Sequence, residues 1–252
     1  MERRRLQSIT ALIVALSVLL SFSSAFSLSQ RNEVVIAQLK YKGGDFEPYT
    51  TSIKRLATYV VSRSSVSLSP EKKILQINSK ELFSYPMLYM TGSYEFKPFS
   101  DKELKRLKRY LDFGGTLVID DSSGENKSGF NRSVMRMLGR LYPDKKLEKL
   151  DRDHALFKSF YLFDRIPGRK LVSPFLHGIN VGDITPVIYS RNDLGGAFAG
   201  DDFGGWEMQC QPGGERQREM SFRLGINIVM YVLTVNYKRD QVHIPFILKR
   251  RK

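Results

Sequence analysis

The feature that most constrains the fold is a series of short apolar runs separated by segments with helical spacing. The runs lie at 33–41, 85–92, 116–120 and 184–190. Continuous apolar runs are typical of strands buried on both faces, and their alternation with helices indicates a parallel sheet covered on both sides. We therefore predict an α/β fold, a three-layer sandwich with a mainly parallel sheet flanked by helices.

The helix after the second run has the most specific local signal in the chain. Ser100 and Glu103 are spaced as a capping box, in which each side chain bonds a free backbone donor at the helix start. Further helices are predicted over 49–63, with Thr50 or Thr51 as its cap, over 131–142 and over 215–238. A short strand is expected at 65–69 and a strand or edge segment at 72–78. The regions 144–178 and 195–214 are expected to be irregular.

The N-terminal segment has the pattern of an export signal. Three arginines at 3–5 precede an uncharged apolar run over 9–20, and small residues follow. This tripartite pattern predicts a secretory signal peptide over 1–27, because the run is short for a membrane-spanning helix. A retained N-terminal anchor is the alternative. We expect a protein of the periplasm or cell envelope, with one α/β domain over 33–238.

The chain is strongly basic, with a formal net charge of +14. Much of the excess lies in the helix at 97–110 and in the C-terminal tail, 239–252. Such patches could attract anionic partners, and the tail could make peripheral contact with a membrane. A solvated helix face and a soluble tail are the alternative. Neither patch has the interleaved aromatic residues of a stacking platform, and we expect no nucleic-acid partner.

Polar and glycine-rich clusters follow the predicted strands. Because the carboxyl ends of parallel strands share one edge, where open α/β sheets bind their ligands, we expect these clusters to line one cleft. Its predicted residues are Gly43, Gly44, Asp45, Thr91, Gly92, Ser93, Asp120, Asp121, Asn192 and Asp193.

Two adjacent carboxylates, Asp120 and Asp121, are the weak catalytic candidates of that cleft. On an extended backbone their side chains should point to opposite sides. One could face the cleft as a metal ligand, general base or hydrogen-bond acceptor, while the other caps the turn at 122–124. A structural role for both is the alternative. His154, in "DRDHALF", is a further candidate base, with a surface or cap role as its alternative.

Nucleophile, metal and cofactor motifs are absent from the sequence. Cys210 is the only cysteine, which excludes an intramolecular disulfide and a zinc site of several thiolates. Neither Cys210 nor Ser93 has the small flanking residues of a nucleophile elbow. No metal-binding histidine spacing and no glycine-rich nucleotide motif occurs. We predict no cofactor and no metal.

Several stretches, taken in order, resemble one known family. They are "LKYKGGDFEPY", "YPMLYMTG" with the capped helix and "GGTLVIDDSSG", "RDHALFKSFYLF", "NDLGGAF" and "REMSFRLGINIVMYVLTVNYK". This set resembles the bacterial domain of unknown function 4159 over 33–238. The resemblance implies a flavodoxin-like sheet, similar to class I glutamine amidotransferases, and an exported or membrane-associated setting.

Two departures bear on what the resemblance implies for activity. Ser93 stands where relatives often have a histidine, and "YMTGSYE" lacks the amidotransferase nucleophile cysteine. Glutaminase chemistry is therefore not expected. The leading hypothesis is a non-catalytic domain that binds a small polar ligand or an envelope protein partner. The alternatives are a hydrolase, metal-assisted or acid/base, that uses the strand-end carboxylates, and an envelope scaffold that contacts anionic lipid.

Overall fold

Seven strands form a single sheet in a computed structural model that describes residues 33–249, with side chains up to Val235. The predicted signal peptide at 1–27 and the end of the basic tail at 250–252 lie outside the described residues. The strand order is β2-β1-β3-β4-β7-β6-β5. The strands are β1 (Ala37–Leu39), β2 (Lys73–Leu75), β3 (Met87–Gly92), β4 (Thr116–Asp121), β5 (Glu148–Lys149), β6 (His177–Val181) and β7 (Ile184–Ser190).

The first five strands across the sheet, from β2 to β7, run parallel, and β6 is antiparallel to both β7 and β5. The centre is in tight register, with Met87 to Gly92 of β3 opposite Thr116 to Asp121 of β4. The predicted mainly parallel α/β fold is confirmed. Because β5 and β7 point the same way, their carboxyl ends lie at one edge with those of β1, β3 and β4. We call this the carboxyl edge.

Helices cover both faces of the sheet. They are α1 (Ser52–Arg63), α2 (Asp101–Asp112), α3 (Gly129–Leu141), α4 (Leu194–Phe198) and α5 (Gly214–Lys249). Core residues of α1, α4 and α5 pack on one face, with Val118 of β4. Those of α2 and α3 pack on the other, with Leu117 and Ile119. Every residue of β4 is buried, as expected for a strand between two helical layers.

Local signals set the ends of these helices. Ser100 and Glu103 form the predicted capping box of α2. Thr51 occupies the N-cap position of α1 but makes no capping bond. Its hydroxyl instead bonds the backbone of Gly200 and ties α1 to the segment after α4. None of the described helices is long and apolar enough to cross a membrane.

Several regions differ from the sequence expectations. Helix α4 lies within the expected loop at 195–214 because two aspartates cap its first turn. The region expected to be irregular, 144–178, contains β5 and the start of β6. The strand expected at 65–69 is reduced to a bridge between Leu68 and Val34. Helix α5 continues beyond the predicted end at 238, to Lys249.

Candidate functional site

The carboxyl edge brings together the polar clusters predicted to share a cleft. After β1, the Asp45 carboxylate accepts hydrogen bonds from the backbone N–H groups of Ser93 and Tyr94, at 2.7 and 3.1 Å. After β4, Asp120 accepts bonds from the N–H groups of Leu194 and Gly195, beyond the end of β7. Segments far apart in sequence therefore meet at one edge.

Close packing at this edge explains the glycines after β1 and at the end of β3. Gly43 and Gly44 have φ values of 72° and 68°, which L side chains rarely adopt. A Cβ on Gly92 would lie 2.1 Å from the Tyr41 hydroxyl and 3.0 Å from the Asp45 carbonyl oxygen. The turn after β1 thus lies directly on the end of β3.

Asp121 is bonded to the α3 side of the sheet. One carboxylate oxygen accepts bonds from the backbone N–H and the hydroxyl of Ser123, at 3.1 and 2.6 Å. The other accepts a 2.6 Å bond from the hydroxyl of Ser128, the N-cap residue of α3. The structure therefore places Asp121 as the cap of the 122–124 turn. Thr91 lies beside this turn, with its hydroxyl 2.6 Å from that of Ser122.

Asp120 is fully buried and bonded to the opposite layer. One carboxylate oxygen lies 2.9 Å from the Leu194 nitrogen, and the other lies 2.7 Å from the Gly195 nitrogen and 2.9 Å from the Tyr89 hydroxyl. These partners are the first residues of α4 and a residue of β3. The two adjacent aspartates point to opposite faces, as the extended backbone predicts.

Asp193 is the most unusual residue of the edge. It is fully buried and is the one non-glycine residue with positive φ between residues 33 and 249, with φ of 56° and ψ of 66°. Its carboxylate accepts bonds from the Gly196 N–H, at 2.9 Å, from the Tyr49 hydroxyl, at 3.1 Å, and from the Arg169 guanidinium. Sparsely populated backbone conformations concentrate at functional sites, so Asp193 marks the edge as a candidate site.

The buried carboxylates are shifted toward their neutral forms. Burial, followed by the nearby Asp120 carboxylate, raises the pKa of Asp193 from 3.8 to about 7, although Arg169 opposes this shift. Burial also raises the pKa of Asp120, against the lowering by its backbone donors. We call Tyr49, Tyr89, Asp120, Arg169 and Asp193 the strand-end cluster.

Asn192 connects the strand-end cluster to the neighbouring loops. Its side-chain oxygen accepts a 2.7 Å bond from the Ser173 N–H. Its amide nitrogen donates to the backbone oxygens of Ser173 and Ile166, at 2.7 and 3.1 Å. Asn192 therefore fixes two segments that line a cavity at the same edge.

The cavity has a volume of about 730 Å³ and lies beyond β5 and β6. We call it the edge cavity. Its floor is apolar and includes the buried side chains of Leu150, Phe157 and Leu176. At its mouth lies Phe175, with the Lys149 ammonium 4.2 Å from the ring centroid. The lining thus combines an apolar surface with an aromatic ring.

Charged side chains of both signs surround the edge cavity. The basic ones are Lys149, Arg152 and Arg165, and the acidic ones are Asp151, Asp153 and Asp164. Of the acidic groups, Asp153 is already paired with Lys158, at 2.6 Å. The rim can therefore orient a ligand with polar or charged substituents above the apolar floor.

His154 does not join the strand-end cluster. Its ring nitrogen Nε2 lies 2.8 Å from the hydroxyl of Thr185, near the start of β7. Asp120 pairs with Ser190, at the end of the same strand, roughly 16 Å away at the rise of a strand. His154 also caps the short 3-10 helix at Ala155–Lys158. Burial lowers its pKa.

Between residues 33 and 235, no group of three or more His, Cys, Asp or Glu side chains is arranged to hold a metal ion. Cys210 is buried, and burial raises the pKa of its thiol.

Sequence reasoning missed three members of the strand-end cluster, Tyr49, Tyr89 and Arg169. Arg169 lies in the stretch expected to be irregular and pairs with Asp193, 24 residues later. Tyr89 lies inside an apolar run and Tyr49 opens a helical segment, so both read as core residues. The alternation of side chains along β3 was the one signal available for Tyr89. Tyr89 pairs with Val118 of β4, and Val118 points to the same face of the sheet as Asp120, so Tyr89 is expected on the face of Asp120.

The sheet, its two helical layers and the capped strand ends define a three-layer α/β domain with a buried acidic cluster at the carboxyl edge. The chain belongs to the family described as Domain of unknown function (DUF4159), whose profile matches residues 35–233. This confirms the family suggested by the ordered motifs. No curated protein matches the chain.

Proposed function

We propose that this chain is an exported, non-catalytic, amidotransferase-like domain that binds a small polar ligand with an apolar face in the edge cavity. One observation carries the proposal. The strand-end carboxylates are occupied in holding the fold together, while an open cavity with an apolar floor and a charged rim lies beside them.

The bonding of the carboxylates supports a structural role for them. Asp120 and Asp121 each accept three hydrogen bonds from fixed neighbours. Asp193 is enclosed by Arg169, Tyr49 and the first turn of α4. A general base must lie within hydrogen-bond reach of a substrate proton, and the fully buried Asp120 and Asp193 are turned toward protein donors instead.

The edge cavity has the size and chemistry of a ligand site. Pockets for small molecules have volumes of roughly 300–1,000 Å³ and combine apolar walls with a few polar groups that fix orientation. The floor at Leu150, Phe157 and Leu176 suits a flat apolar face, and the rim charges suit polar substituents. A side chain from an envelope protein partner is the second occupant with this chemistry.

One observation favours the catalytic alternative, a hydrolase acting through strand-end acids. The pKa of Asp193 is raised to about 7, within the range useful for acid–base catalysis at neutral pH. This alternative requires Asp193 to become accessible to a substrate.

Native mass spectrometry of protein recovered from a bacterial envelope fraction tests the proposal. We expect a bound small molecule that is lost in Phe175→Ala and retained in Phe83→Ala. Phe83 is the matched control for Phe175, because the two side chains are similarly exposed, 42% and 39%, and lie at opposite edges of the sheet. Retention of the molecule in both variants would place it outside the edge cavity.

The same sample separates binding from catalysis. A ligand that is recovered unchanged after long incubation with the protein supports the binding domain. Its conversion to a product, abolished by Asp193→Asn but not by Phe83→Ala, would establish the hydrolase instead.

A further inference from the structure

The edge opposite the candidate site carries a basic and aromatic surface with no role in the proposed ligand binding. Phe113 lies between α2 and β4, immediately before the strand starts, and is 71% exposed. Phe83, in the short helix before β3, contacts it edge-on with ring centroids 6.3 Å apart. Both rings therefore project where the parallel strands begin, which we call the amino edge.

Cations flank these rings. The Arg106 and Arg109 guanidiniums lie 5.2 and 5.3 Å from the ring centroids of Phe83 and Phe113. Lys80 is exposed beside Phe83, and Lys145 and Lys146 are exposed in the loop that leads into β5. Lys108 joins these groups, with its ammonium 4.8 Å from the Tyr142 ring. Lys108 is paired with Asp112, and the neighbouring Glu81 is paired with Lys73, so the amino edge presents exposed aromatic rings among cations of which some are neutralised.

The far end of helix α5 also lies at this edge. Helix α5 starts at the carboxyl edge, where Gln217 donates to the Gly168 carbonyl oxygen. It runs against the strands, and its Tyr231 hydroxyl accepts a bond from the Thr185 N–H, near the start of β7.

Helix α5 then continues past the sheet to Lys249, about 20 Å beyond Val235 at the helical rise. The sequence from 238 to 252 contains six basic residues and one acidic residue. Two exposed phenylalanines and the basic side chains around them therefore share one edge with the continuation of helix α5. Clusters of Lys and Arg beside aromatic and apolar side chains are the features that attract proteins to anionic membrane surfaces.

We propose that the amino edge docks on an anionic lipid bilayer, with the phenylalanine rings at the headgroup level and the edge cavity facing away from the membrane. We infer a membrane surface as the partner of the amino edge because basic and aromatic side chains lie together along this exposed edge, from Lys80 to Lys146. Basic side chains bind anionic headgroups, and aromatic rings insert at the headgroup level. This docking is independent of whether the edge cavity holds a ligand.

A pair of tryptophan variants of the full chain reports the orientation. Phe113→Trp places a fluorophore at the amino edge, and Phe203→Trp, where the native side chain is 97% exposed, places one at the carboxyl edge. The native Trp206, whose ring centroid lies 5.7 Å from that of Phe222, is present in both variants. Its fluorescence is removed by subtracting the spectrum of the wild-type protein. Neutral vesicles contain phosphatidylcholine alone, and anionic vesicles contain phosphatidylcholine mixed with phosphatidylglycerol. Lipids with brominated acyl chains serve as fluorescence quenchers in the anionic vesicles.

We expect the fluorescence of the Phe113→Trp variant to shift to the blue and to be quenched by the anionic vesicles. High salt should reverse both changes because the contacts are screened. The fluorescence of the Phe203→Trp variant should be unchanged. Equal changes in both variants, a change in Phe203→Trp alone, or no change in either would overturn the proposal. Absence of any change with vesicles is also the result expected if a protein partner covers this edge.

Charge reversal supplies a second measurement. Lys145→Glu with Lys146→Glu should weaken partitioning to phosphatidylglycerol vesicles by about tenfold or more, since each cation near an anionic surface contributes on the order of a several-fold change. Lys42→Glu with Lys127→Glu makes the same change of charge at exposed carboxyl-edge positions and should leave partitioning within about twofold. Equal losses in the two double variants would show that net charge alone drives association.

Discussion

Replacing each of the two adjacent aspartates by asparagine should have very different costs. Asp120 accepts backbone N–H bonds at both oxygens, from Leu194 at 2.9 Å and from Gly195 at 2.7 Å. In Asp120→Asn, the amide NH2 faces one of these N–H groups whichever way the side chain is turned. A fully buried backbone donor is then left without an acceptor.

The magnitude follows from that unpaired donor. A buried unsatisfied group costs about 1–3 kcal/mol, and the remaining bonds lose the strengthening that a carboxylate gives. Relief of the desolvated charge offsets part of this loss. We expect Asp120→Asn to lower the free energy of unfolding by about 3 kcal/mol, or roughly 6–12 °C in Tm for a domain of this size.

Asp121→Asn is the matched control, one residue along the strand. Its amide oxygen can keep the Ser123 N–H bond while its NH2 group donates to the Ser128 hydroxyl, which has a second lone pair available. The expected loss is below about 1 kcal/mol. Urea denaturation of both variants, followed by circular dichroism, measures the difference. An equal or larger loss in Asp121→Asn would refute the assignment of Asp120 as the buried cap of α4.

Three further outcomes are expected. Gly92→Ala should lower the free energy of unfolding by about 2 kcal/mol or more in the same assay, because its Cβ would lie 2.1 Å from the Tyr41 hydroxyl and 3.0 Å from backbone. The pKa of Asp193 is raised in the folded state from 3.8 to about 7, so the stability that its protonation contributes is lost as the pH rises through this window. Relative to Asp193→Asn, the free energy of unfolding of the wild type should fall by up to about 1 kcal/mol per pH unit between about pH 5 and 7. Parallel curves of stability against pH for the two proteins would contradict this. The Cys210 thiol should react with iodoacetamide only after denaturation, because it is 4% exposed and burial raises its pKa, and rapid native labelling would show that the segment opens.

The spacing of apolar residues and the helix-capping residues were sufficient to predict most of the fold. The apolar runs correspond to β1, β3, β4 and β7, and the capping box marks the start of α2. These elements are locally determined, because buried central strands and amphipathic helices need no information from distant residues. The order of polar clusters along the chain was also enough to predict that Asp45, Asp120 and Asp193 meet at one edge.

Elements fixed by distant contacts could not be predicted in this way. Helix α4 contains two consecutive glycines, Gly195 and Gly196, and is stabilised by Asp120, which lies 75 residues before Gly195. Strand β5 has two residues, both exposed, and exists through pairing with β6. The edge cavity is formed by irregular segments next to β5 and β6. Irregular segments have no regular spacing of apolar residues, so the sequence pattern predicts neither the position of the cavity nor its apolar floor.

The alternation of a single strand accounts for the separate fates of Asp120 and Asp121. Val118 and Asp120 face the layer of α1, α4 and α5, whereas Ile119 and Asp121 face the layer of α2 and α3. Each carboxylate therefore reaches the N-terminal turn of a different helix, where it satisfies free backbone donors directly or through Ser128. Two acidic residues at the end of a buried central strand thus fix both helical layers to the carboxyl edge. The proposed ligand site therefore uses other residues of this edge, those that line the edge cavity beside Asn192.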